Sequence, residues 1–242
     1  QAWSVYADAG FFWTSNARLL RESNATDAYF TTGLNVNFLP YLGNNFFLDF
    51  SGQFRIYRYM ENPDLDFNYT QGQAGLLYVI RELGDLTLFF NYNYDLITSR
   101  GLIPNVEDAT QTYAAHTLAY GFRKAFIYSR GLSFYTSYTG EFTLGGQPGF
   151  ALTNAQSFLV GTQVGLTRLV SLDLYYRFTV FDFRQNNRLD LNNLIGGGVT
   201  FAPVDWCSIQ AITTLAFNHS NESFFSYFAA TLGGSLSVSL TF

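Results

Sequence analysis

Every second side chain is apolar in one ten-residue segment after another from Trp3 to Phe242, and this period of two limits what the chain can build. Successive side chains of an extended strand point to opposite faces, so each segment has one apolar face and one small, polar face. In the last segment Phe228, Ala230, Leu232, Gly234, Leu236, Val238, Leu240 and Phe242 fall in one row. Tyr227, Ala229, Thr231, Gly233, Ser235, Ser237, Ser239 and Thr241 fall in the other. A soluble sandwich also alternates, but it turns its apolar face inward. Aromatic residues make up 19% of the 242 residues here and charged residues 13%, against about 25% charged in an ordinary globular domain. A face in contact with lipid accounts for that shortage.

The longest apolar runs, such as Leu76 to Ile80, fall far short of the roughly 18 residues of a membrane-spanning helix. Backbone groups in hydrocarbon must be satisfied internally, so the other way across a bilayer is a closed barrel. No linker interrupts the pattern, and residues 1–242 read as one all-β domain. Cys207 is the sole cysteine, which leaves no intrachain disulfide, and its row faces outward. No positively charged leader with an apolar core is present. The opening at Gln1 and Trp3 is read as a start left by signal removal, or as an engineered one. Nucleic acid is excluded as a partner: the net charge is -5 and Lys124 is the single lysine.

The chain divides into about twelve strands. The first offers Trp3, Val5, Ala7, Ala9, Phe11 and Trp13 outward; the third offers Phe46, Leu48, Phe50, Gly52, Phe54 and Ile56. The sixth, with His116, Leu118, Tyr120 and Phe122, is the weakest. Long polar connections (Asn16 to Asp27, Met60 to Asp66, Ser99 to Thr110, Gly145 to Asn154, Arg184 to Asp190, His219 to Ser223) follow odd strands. Tight ones (Leu39 to Asn44, Glu82 to Asp85, Arg168 to Ser171, Ala202 to Asp205) follow even strands. Lys124 to Arg130 breaks this rule as a longer connection, and Ala17 to Glu22 is read as one helical turn within its loop. An even strand count puts both termini at the short-turn rim.

With these rows and loops, the chain resembles a bacterial outer-membrane β-barrel protein, porin-like and of about twelve strands. The resemblance implies a transmembrane antiparallel up-and-down barrel with both termini periplasmic, in contact with outer-membrane lipid and lipopolysaccharide. Leu236, Val238, Leu240 and the terminal Phe242 resemble the carboxy-terminal signal that such proteins present to the barrel assembly machinery. A partner protein or a homo-oligomer is a further expectation of the class.

If the apolar rows face lipid, the other rows line the interior. They supply Asp8, Asp49, Arg55, Gln73, Asn93, Asp95, Glu141, Gln163, Asp173, Tyr175 and Arg177 as lumen-lining candidates. Eight strands fill their interior with side chains and sixteen or more leave a channel, so twelve lie between. Asp8, Asp49, Asp95, Glu141 and Asp173 outnumber Arg55 and Arg177, which predicts a weak cation preference. The alternative is that both arginines pair with those acids and brace the wall. Tyr6, Tyr29, Tyr57, Tyr69, Tyr113, Tyr135, Tyr175 and Tyr227 share the inward rows, as stacking platforms for a sugar or nucleoside or as space-filling rings.

Catalytic chemistry has little support. His116 lies on an outward row with Ala114 and Leu118 where a nucleophile would share its face. His219 sits beside Ser220 in a loop without an orienting acid. Glu141 with Asp95 stays open as a source of acid-only catalysis. No metal-ligand spacing is present, Asn62 to Asp66 lacks the full calcium-loop pattern, and Gly196 to Gly198 lack a phosphate-loop spacing. No cofactor or metal is expected. The leading expectation is a non-enzymatic channel passing small polar solutes or ions through a mostly neutral, slightly acidic lumen. The alternatives are a structural or complex-forming barrel with an occluded lumen, and a lipid-modifying enzyme.

Overall fold

The computed structural model describes residues 2–21, 25–99, 111–147, 152–184 and 187–242. Twelve long strands run up and down in chain order: β1 (Trp3–Thr14), β2 (Asp27–Phe38), β3 (Phe46–Tyr59), β4 (Phe67–Ile80), β5 (Leu86–Ser99), β6 (Gln111–Ser129), β7 (Leu132–Gln147), β8 (Thr153–Gly165), β9 (Val170–Phe183), β10 (Arg188–Val204), β11 (Cys207–Ser220) and β12 (Tyr227–Thr241). A three-residue strand, Tyr41–Gly43, folds back on the start of β3 within the β2–β3 turn. Each long strand pairs antiparallel with the next, and β12 pairs with β1, so the sheet closes on itself. The seam is tied at its end by Phe242 N donating to the Trp3 carbonyl at 2.9 Å. Closure removes the free edges that an open sheet would leave.

Register keeps like beside like around the wall. Val5 stands opposite Leu240 on one side and Val36 on the other, while Tyr6 stands between Ser239 and Asn35. The apolar rows lie on the convex face, where Trp3, Phe11 and Trp13 on β1 are each more than two-fifths exposed. The buried residues invert the order of a soluble protein: among the described residues Phe89 is the one large apolar side chain that is buried, joined by four alanines. Asp8, Asp27, Asn91, Asn192 and Asn218 are buried.

Several connections differ from the expected ones. Lys124 to Arg130 is no long connection: β6 continues to Ser129 and turns through Arg130 and Gly131 into β7. Three consecutive apolar residues, Phe126, Ile127 and Tyr128, mask the alternation, and the register slips between Ile127 and Ser129. Strand β10 likewise runs through Ala202 to Val204 over an irregularity after Phe201. Ala17 to Arg21 forms turns and no helix, while Glu22 lies outside the described residues, as do Asn24 and positions 100–110. The β2–β3 turn places Asn44 and Asn45 at φ 50° and 66°, the left-handed pair that a tight hairpin requires.

Twelve strands about 4.8 Å apart and tilted by about 40° give a backbone cylinder roughly 24 Å across.

Candidate functional site

The inner face is built from the polar rows. Side chains converge on a concave wall, so bonds there reach across an intervening strand. Asp8 on β1 and Arg55 on β3 are both in register with Gly33 on β2. Arg55 donates Nη2 to Asp8 Oδ1 at 2.7 Å and Nη1 to Oδ2 at 3.1 Å. A methyl group on Gly33 would lie 2.9 Å from both the guanidinium and the carboxylate, so the bridge needs glycine beneath it. The same device recurs in a row across four strands, Tyr135, Gly161, Tyr175 and Gly196. Each tyrosine ring lies over a glycine, and the Tyr135 hydroxyl donates to both oxygens of Asp173 at 2.9 and 3.1 Å.

The other acids are held by neighbours. Asp95 accepts from the Tyr69 hydroxyl at 2.6 Å and Gln71 Nε2 at 2.9 Å, and Asp49 accepts from Gln73 Nε2 at 2.7 Å. The Tyr6 hydroxyl meets Ser237 Oγ at 2.7 Å across the β1–β12 seam. Asn93 is buried with an Oδ1 that has no hydrogen-bond partner. Gln163 lines a separate recess of about 270 Å³ with Ser133 and Ser171, near the short-turn end.

Arg177 and Glu141 behave differently. They line a recess of about 320 Å³ on β7–β9. The Nε of Arg177 is buried without a hydrogen-bond partner. The bracing alternative therefore fits Arg55 and not Arg177.

Four inner-face charges escaped the sequence reading. Arg123, which lies over the Phe89 ring at 4.8 Å, stands next to the stretch read as a connection. Asp27, Arg188 and Asp190 sit at strand ends where polarity resembles loop. Asp27 accepts from the backbone N–H of Glu61 and Asn62 at 3.0 and 2.9 Å, clamping that loop to the long-loop rim. Asn62 Nδ2 also donates to Asp27, and Arg18 contacts Asp64 at 2.8 Å, so Asn62 and Asp64 are engaged within the protein. Arg188 holds Asp190 through two bonds at 2.9 and 2.5 Å and is sandwiched between Phe183 and Phe225 at 4.0 and 3.6 Å. At the same rim Phe12, Tyr29, Tyr57 and Phe67 form a run of ring contacts, with centroids 5.5, 6.2 and 4.3 Å apart.

The two histidines are not brought together. His116 on β6 is exposed on the outer face, and its Nδ1 is hydrogen-bonded to the Tyr92 hydroxyl. His219 is not in a loop: it belongs to β11, opposite Leu191, and faces outward. Cys207 stands opposite Val238 on the same outward rows.

No protein-family model matches the chain, and no curated protein matches it in sequence. Solved structures match the whole fold. The COG4313 outer membrane channel from Pseudomonas putida F1 is 8% identical with a TM-score of 0.60, over 99% of this chain and 96% of that one. The NanC porin is 10% identical with a TM-score of 0.53, over 97% and 100%. The β domain of the Bordetella autotransporter BrkA is 11% identical with a TM-score of 0.50, over 97% and 99%. One fold carries different tasks in these proteins; what the likeness establishes is that this chain has the architecture of outer-membrane β-barrels.

Proposed function

We propose that the protein is a bacterial outer-membrane channel for passive movement of small polar solutes and ions, with a weak preference for cations, and that it is not an enzyme. The observation that carries this reading is where the interior polar groups find their partners. The bonds of Asp8, Asp49, Asp95 and Asp173 run along the wall, between strands one or two apart. An occluded barrel would instead knit opposite walls together, which the bonds of these four acids do not do. The exposed apolar rows meet lipid and lipopolysaccharide on the outside, and the likeness in fold to two channels agrees with this assignment.

Charge sets the expected selectivity. Asp8 with Arg55 and Asp190 with Arg188 cancel as ion pairs. Among the described inner-face residues, Asp27, Asp49, Asp95, Glu141 and Asp173 then stand against Arg123 and Arg177, which keeps the lumen negative. A charged lining favours the opposite ion. In planar bilayers across a salt gradient, the reversal potential is expected to report cation over anion, and the D49N/D95N double variant to shift it toward zero. Anion preference, or no current from folded protein, contradicts the proposal.

The place of the terminal strand at the seam supports a part for it in assembly. Leu236, Val238 and Leu240 stand opposite Ala9, Ala7 and Val5 on the outer face, and Phe242 ends the row. Until β1 closes on it, this strand presents a free edge and an apolar row to the barrel assembly machinery. An outer wall of this kind also suits association of copies side by side.

A further inference from the structure

The Glu141–Arg177 recess holds opposite charges that do not meet. Three strands in register form its floor. Ser137, Leu159 and Arg177 make one row, Thr139, Ser157 and Thr179 the next, and Glu141 and Ala155 with Phe181 the third. Arg177 and Glu141 thus occupy opposite corners of a patch three strands wide. The residues between them are small or hydroxylated. Ser157 and Thr179 are hydrogen-bonded to each other at 2.5 Å, which lays the middle of the patch flat.

Among the described residues, the ion pairs are those of Arg18, Arg55, Arg58 and Arg188, and neither Glu141 nor Arg177 is in one. The two are nevertheless within electrostatic reach of each other. Contrast Arg55, which reaches across one glycine to close on Asp8. Leaving a guanidinium and a carboxylate apart at membrane depth is costly, and such groups usually pair or serve a ligand. A ligand with a carboxylate and an ammonium a few bonds apart completes both: its carboxylate receives the Arg177 fork, and its ammonium donates to Glu141. The cavity, about 320 Å³, is at the small end of ligand sites, which run from roughly 300 to 1,000 Å³. Leu159 and Phe181 offer an apolar side chain a place beside the charged ends.

We propose that this recess is a binding site for small zwitterions of the α-amino acid class, a way-station on the wall of the lumen. The assignment rests on the channel reading only for how the solute arrives, so binding and passage are measured separately. The probes are L-threonine and erythritol, which have equal numbers of heavy atoms and differ in the zwitterionic charge.

In equilibrium dialysis of the folded, detergent-solubilised full chain, threonine is expected to bind and erythritol not. E141Q and R177Q are each expected to weaken threonine binding at least roughly tenfold, the weight of one hydrogen bond to a charged group. R177K, which keeps the charge and loses the fork, should fall between wild type and R177Q. In proteoliposome swelling, threonine should enter faster than erythritol, and E141Q should reduce it to the erythritol rate, with circular dichroism of E141Q matching wild type to show that the variant folds. Threonine binding without passage of either solute keeps the site and overturns the channel. Passage of both at one rate without threonine binding keeps the channel and overturns the site, as does binding that E141Q and R177Q leave intact.

Discussion

Arg55→Met is expected to lower the stability of the folded barrel by about 3 kcal/mol, because it strands a buried carboxylate. The Asp8 side chain is 4% exposed and depends on Arg55 for two charge-assisted bonds, while the Arg55 side chain itself is 20% exposed. The guanidinium is thus more open to solvent than the carboxylate. Removal of the arginine is therefore expected to hurt more than its own transfer out of the pair would suggest. The D8N/R55M double variant should recover most of the loss, since replacing both members of an ion pair is often close to neutral. Reversible urea unfolding in lipid vesicles measures both. A single variant as stable as wild type would mean that the bridge contributes nothing.

Leu34→Arg is expected to cost about 2–4 kcal/mol in lipid, the penalty for a cation on the outward face near the bilayer midplane. Leu34 is 46% exposed and stands between Ala7 and Phe54, near the middle of its strand. Its neighbour Asn35 stands between Tyr6 and Gln53 on the inner face. Asn35→Arg should cost under about 1 kcal/mol, because water solvates the new charge there, and it should move ion selectivity toward anions. The comparison uses adjacent positions and one chemical change, so differences in propensity nearly cancel. Equal penalties at the two positions would sink the assignment of faces.

Much of the fold was legible because a strand's side chains strictly alternate, and a row such as Phe46 to Ile56 has few other readings. The signal failed where the period failed. Phe126, Ile127 and Tyr128 are apolar in succession, and their strand slips register just there, so in sequence the β6–β7 hairpin resembles a longer connection. Strand ends failed for another reason: Asp27 clamps a loop and Arg188 pairs with Asp190, and polar residues beside a turn resemble the turn.

For the interior, the facing of Asp8, Arg55, Glu141 and Arg177 could be read one residue at a time, but their partners could not. Asp8 meets Arg55 across Gly33 only because three strands share one register, and the sequence separation of 47 hides it. Glu141 and Arg177 are also far apart in sequence, and their failure to meet depends on the rows of β8 between them. Pairwise register, not residue type, separates a brace from an open site.

Nitroxide labels along β2, introduced one at a time with Cys207 replaced by Ser in lipid vesicles, test the central claim that hydrocarbon wets one row and water the other. Labels at Phe30, Leu34 and Val36 are expected to respond to dissolved oxygen, which partitions into hydrocarbon. Those at Tyr29, Asn35 and Asn37 are expected to respond to a water-soluble nickel chelate. Equal exposure of both rows to the chelate, or the reverse phase, would contradict the account.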